Sequence, residues 1–156
     1  MKYDKLLYER DAFEEFVRTV GLRADTASIK QNKPPLPDIA CNVDGELRYF
    51  ELTRLTDEKI ERKVIKGLAG YTNFRIGLEE IANAIRIKCA KTYLTDAQVD
   101  LVVHEGATPV DGFWARGDET RLTSLLQAAV ENSQFERIWF VDFFSKKFLV
   151  AKKNVH

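Results

Sequence analysis

Cysteine is scarce in this chain: there are two, Cys41 and Cys89, in 156 residues. They form no CxxC pair. They share no zinc-type spacing with the histidines, His104 and His156, which therefore read as incidental. Both cysteines read as packing residues, Cys41 within a strand and Cys89 on the apolar side of a helix. Net charge is missing too, since Lys+Arg and Asp+Glu both number 24. No global basic field draws the chain to nucleic acid or an acidic membrane, so polyanion binding needs a local patch. No run of about 18 apolar residues is present, which excludes a transmembrane helix. Met1-Lys2-Tyr3-Asp4 opens no signal-type apolar stretch. The expected setting is soluble, reducing and cytoplasmic, without membrane contact. A glycine-rich phosphate loop and a nucleophile elbow are both lacking. With no repeat, low-complexity stretch or linker, residues 1–156 read as one domain, and 45% hydrophobic residues can supply its core.

What is present centres on Pro37 to Arg54, which reads as a β-hairpin. Asp44-Gly45 is a two-residue turn signal, because a type I′ turn needs positive φ at both central positions. That turn sets Val43 opposite Glu46, Ala40 opposite Tyr49 and Asp38 opposite Glu51. Cross-strand partners share a face, so the two acids are expected with Cβ atoms roughly 5 Å apart, where like charges destabilise. Ile39 with Phe50, and Cys41 with Arg48, lie on the other face. Such a carboxylate pair needs a proton, a cation or water. A hard divalent ion with oxygen ligands is one reading, and a sheet edge with both acids in solvent is the other.

Lys5 to Val20 reads as an amphipathic helix with Phe13, Phe16, Val17 and Val20 in its buried stripe, ended by Gly21. Glu9 falls on the same side, one turn before Phe13. Thr26 to Lys30 reads as a short strand, and Lys33-Pro34-Pro35-Leu36-Pro37 as extended chain leading into Asp38. Asp57 to Leu68 reads as a helix capped by Thr56, with Ile60, Val64 and Leu68 inward and Lys59, Arg62, Lys63 and Lys66 outward. A further helix is expected over Phe74 to Lys91, and a strand over Gln98 to His104. Glu105 to Gly117 reads as a loop, followed by a helix from Asp118 to Val130. Arg137 to Phe144 and Lys147 to Ala151 read as strands joined at Ser145-Lys146. Trp139, Phe140, Phe143 and Phe144 are expected in the core. This order predicts an α/β fold, a mixed sheet flanked by helices.

The combination of Pro37-Asp38, twelve intervening residues and Glu51-Leu52-Thr53 resembles the PD-(D/E)XK nuclease superfamily. Glu9 on the preceding helix adds to the resemblance. It implies a restriction-endonuclease-like αβββαβ core and metal-dependent hydrolysis of nucleic acid, DNA in the first instance. By the same resemblance Asp38 and Glu51 would bind Mg²⁺ (or Mn²⁺), with Glu9 completing or orienting the site. Lys59, Lys63 and Lys66 would contact phosphates. The chain departs from the pattern at Thr53, where the family's catalytic lysine belongs. A hydroxyl cannot stabilise negative charge as an ammonium does, and alternation points neighbouring Arg54 to the other face. Lys30, Lys33 or Lys63 are the candidates to replace that cation.

Two other readings follow from the same residues. Thr53 and the zero net charge fit a catalytically inactive module of nuclease fold that binds a protein partner or nucleic acid. The aromatic C-terminal hairpin fits a homodimer.

Overall fold

The computed structural model describes residues 5–55, 77–105, 114 and 117–154. The fold is α/β. Among the described residues, three helices flank one six-stranded mixed sheet of order β1-β2-β3-β4-β5-β6. The strands are β1 (Ala24–Gln31), β2 (Ile39–Val43), β3 (Glu46–Arg54), β4 (Val99–His104), β5 (Arg137–Asp142) and β6 (Lys147–Lys152). The helices are α1 (Lys5–Val20), α2 (Leu78–Cys89) and α3 (Glu119–Glu131). Strands β3, β4 and β5 run parallel to one another, and the remaining neighbours are antiparallel.

The hairpin has the predicted register: Val43 pairs with Glu46, Ala40 with Tyr49 and Ile39 with Phe50. Asp44 and Gly45 take φ values of 51° and 80°, the positive pair that the two-residue turn demands. Helix α1 has the predicted bounds. It closes where Gly21, at φ 76°, lets its N–H and that of Leu22 turn back to the Val17 carbonyl.

Side-chain alternation along the strands builds two cores. On one face Phe13, Phe16 and Val17 of α1 pack on Ile39, Cys41, Phe50, Val102 and Trp139. On the other, Ile81 and Ile85 of α2 and Leu122, Leu126 and Val130 of α3 pack on Leu101, Val103, Ile138 and Phe140. Parallel strands buried on both faces read as near-continuous apolar runs, as β4 and β5 do here. Asp100 and His104 interrupt the run on β4, and the first is held by three donors. Asp100 is fully buried, and Arg48, Arg137 and the Trp139 indole satisfy its carboxylate at 2.8, 2.7 and 3.0 Å.

Two sequence expectations shift. Strand β5 stops at Asp142, because the chain turns through residues 143–146 with Lys146 at φ 56°. Phe143 is therefore only partly buried, and Phe144 is 60% exposed rather than in the core. Helix α2 is described from Leu78, so Phe74 and the expected Asp57–Leu68 helix with its Thr56 cap lie outside the described residues. Lys59, Arg62, Lys63 and Lys66 lie outside them as well. No helix among the described residues is long and apolar enough to cross a membrane.

Candidate active site at the carboxyl end of strand β3

The sequence delivers Asp38 to its place through a short closed loop. The Asn32 N–H donates to the Asp38 carbonyl at 2.9 Å, and the Asn32 side chain donates to the Pro37 carbonyl at 3.1 Å. Asp38 then sits one residue before β2, opposite Glu51 of β3. Side chains take over where the backbone ladder ends. The Asp38 N–H donates to Glu51 Oε1 at 3.0 Å, and the Leu52 N–H donates to Asp38 Oδ2 at 2.9 Å. The sequence thus placed these two acids together correctly. They are not at a solvated sheet edge, since Glu51 is only 5% exposed.

A cation reaches the acid pair from α2. Lys88 Nζ lies 3.0 Å from Glu51 Oε2, and the Tyr93 hydroxyl donates to the same oxygen at 2.8 Å. Neither residue was found by sequence reasoning. Lys88 did carry a signal: it falls three residues after Ile85 and seven after Ile81, a lysine on an otherwise apolar stripe. Tyr93 carried none, because its approach depends on how the chain leaves α2.

The electrostatics of the pair are lopsided. Burial, then the facing Glu51 charge, push the Asp38 carboxyl up from 3.8 to about 7, against the pull of the Leu52 N–H. Burial acts on Glu51 in the same sense, but Lys88, Tyr93 and the Asp38 N–H outweigh it and hold that carboxyl below its usual range. Burial and the Glu51 charge raise the Tyr93 hydroxyl. Of the two carboxyls Glu51 is the one that ionises more readily, and Asp38 holds its proton more tightly than a solvated aspartate does.

A cavity of about 310 Å³ opens beside the pair, with Glu9, Asp38, Thr53 and Lys88 in its walls. Glu9, whose place at the end of the apolar stripe left open whether it turns to water or to a site, lines this space. It lies 3.6 Å from Lys5, and burial raises its carboxyl against that lysine's pull. Arg54 lines the cavity too, having turned to the α1 face as alternation required, where its guanidinium lies 4.7 Å from the Tyr8 ring. Thr53 Oγ1 is buried without a hydrogen-bond partner among the described residues.

His104 was read as incidental, yet it lines the same cavity. Pairing of β3 with β4 sets it opposite Arg54, a placement no local pattern encodes. It is 2% exposed and its Nδ1 has no partner among the described residues. Burial, with Arg54 near, lowers its pKa to about 3, so the ring is neutral.

A second pair of acids, Glu105 and Asp142, lies at the ends of β4 and β5. Its bonds are structural: Glu105 accepts the Phe143 N–H, and Asp142 accepts the Trp114 indole and the Ser145 N–H. Of the lysines named above as replacements, Lys63 lies outside the described residues. Lys30 and Lys33 are not among the lining residues of this cavity. Among the described residues, no three His, Cys, Asp or Glu side chains converge as a ready metal cluster. The arrangement is a facing acid pair with Glu9 in the adjoining cavity. No protein-family model matches the chain, and no curated protein matches its sequence.

Proposed function

We propose that the protein hydrolyses phosphodiester bonds in nucleic acid, DNA in the first instance, with a divalent cation at Asp38 and Glu51. The observation that carries this reading is Lys88. Its ammonium, 3.0 Å from Glu51 Oε2, stands in the acid pair where the PD-(D/E)XK pattern calls for a lysine and the chain has Thr53. The element order α1, β1, β2, β3, α2, β4 supports the αβββαβ core of that superfamily.

The donor set suits a hard divalent ion. It offers carboxylate oxygens only, and its burial and mutual repulsion leave Asp38 holding a proton that a cation would displace. Asp38 and Glu51 would hold the ion, with Glu9 orienting it from the cavity. Bound Mg²⁺ or Mn²⁺ supplies Lewis-acid polarisation of a phosphoryl oxygen and a lower pKa for the attacking water. The chain's own part is positioning and charge. Glu51 is fixed by three donors, from Lys88, Tyr93 and Asp38. Lys88 is a preorganised cation where negative charge grows on the phosphoryl group, and it reorganises little as the reaction proceeds. Lys59, Lys63 and Lys66 remain the proposed phosphate contacts next to it.

Plasmid nicking in Mg²⁺ or Mn²⁺ tests the reading, together with calorimetric titration of the metal. Asp38→Asn and Glu51→Gln should each lower cleavage by about a thousandfold, as expected when one charge-stabilising group is lost. Undiminished cleavage by Asp38→Asn refutes the assignment. One observation favours a second reading, an inactive nuclease-fold module: Glu51 already accepts from the Asp38 N–H, Lys88 and Tyr93, which satisfy its charge without a metal. Nucleic-acid binding without cleavage in either metal would establish that reading instead.

A further inference from the structure

The acid pair is a partition between two recesses. The first is the cavity of about 310 Å³ described above, and Asp38 lines it. Asp38 also lines a second cavity, of about 290 Å³, whose other walls include Glu51, Pro34, Pro35, Leu36 and Lys91. Both volumes lie near the lower end of small-molecule sites, and each suits a group of nucleotide size. The two walls differ in chemistry. The first side offers Arg54 and Lys5, with Thr53 Oγ1 and His104 Nδ1, which have no hydrogen-bond partner among the described residues. The second offers the rings of Pro34 and Pro35 and Leu36, 36% exposed, with Lys91 and Thr92 beside them.

We infer that the substrate is a single strand, laid across the acid pair with one nucleotide in each recess. This inference rests on the hydrolase reading and adds the class of substrate. Three observations support it. Glu51 is 5% exposed, so the phosphodiester must be drawn inward to reach the pair. An unpaired strand can do this, because its bases splay apart to either side, whereas a duplex is stiff and carries its phosphates on a convex surface. Apolar and ring surfaces accept a base face irrespective of sequence, which suits Pro34, Pro35 and Leu36. Finally, the formal net charge is zero, so no global basic field favours a duplex and strand contact rests on local groups at the two recesses. In this arrangement the polar recess takes the base edge or sugar at His104 and Thr53, and Arg54 and Lys5 meet the strand's phosphate. Lys91 meets the next phosphate on the apolar side.

The experiment uses full-length Asp38→Asn protein, which retains substrate uncut, and fluorescence anisotropy in Mg²⁺. The probes are labelled oligo-dT, oligo-rU and a DNA hairpin with as many nucleotides. At least one single strand should bind tenfold or more tightly than the hairpin, and the dT and rU arms tell DNA from RNA. Leu36→Asp and Lys91→Glu, placed on that background at exposed positions, should each weaken single-strand binding at least threefold and leave hairpin binding unchanged. Equal or tighter hairpin binding overturns the inference, as does single-strand binding indifferent to both substitutions. Wild-type cleavage is followed in parallel. Efficient duplex cleavage with no single-strand preference overturns the inference and leaves the hydrolase reading standing. Selective single-strand binding with no cleavage upholds the strand path and removes the hydrolase reading. No binding of any probe removes both.

Discussion

Asp38→Asn should make the protein more stable while destroying its proposed activity. The carboxyl is raised from 3.8 to about 7 by burial and by Glu51. A raised acid pKa means that the folded state holds the proton more tightly than the unfolded chain. Its stabilising contribution is full below about pH 4 and is lost progressively as pH rises to about 7. A shift of about 3 units corresponds to about 4 kcal/mol at most, at roughly 1.4 kcal/mol per unit. Asparagine keeps an oxygen for the Leu52 N–H and carries no charge, so the variant escapes this loss. Allowing for relaxation of the real pair, a gain of about 2 kcal/mol at pH 8 is expected, or a rise of ~4–8 °C in Tm for a chain of this size. The assay is urea or thermal unfolding of both proteins in EDTA from pH 4 to 9. Their difference should widen between pH 4 and 7 and then stay level. Excess Mg²⁺ should restore stability to the wild type alone, by mass action on the folded state. Parallel curves at every pH would show that Asp38 and Glu51 are not forced together, and the case for a cation there would go with them.

Lys88→Met should abolish metal-dependent cleavage and destabilise the fold by about 1–3 kcal/mol, since a buried carboxylate loses its charge partner but keeps Tyr93 and the Asp38 N–H; urea midpoints and nicking rates check both. Asp100→Ala strands Arg48 and Arg137 on the far side of the sheet, and should cost about 3–5 kcal/mol by chemical denaturation. Gly45→Val forces a β-branched residue to φ 80° and should cost more than about 1 kcal/mol, visible as a lower Tm with metal affinity retained in the folded fraction.

The sequence alone determined whatever depends on neighbours along the chain. The periodicity of α1 with Gly21 at its end, and the Asp44-Gly45 turn with the register it sets, are local rules, and together they put Asp38 opposite Glu51. The mixed α/β class followed from the order of elements. Only the tertiary structure decided what else surrounds that pair and its cavity. Lys88 and Tyr93 arrive after a crossover that packs α2 on the sheet, and His104 arrives by parallel pairing of β3 with β4. Those contacts join residues about 37 to 50 positions apart, at distances set by packing rather than by any repeat. A cation beside a strand can come from any element that packs close enough, and sequence order holds no record of which one does.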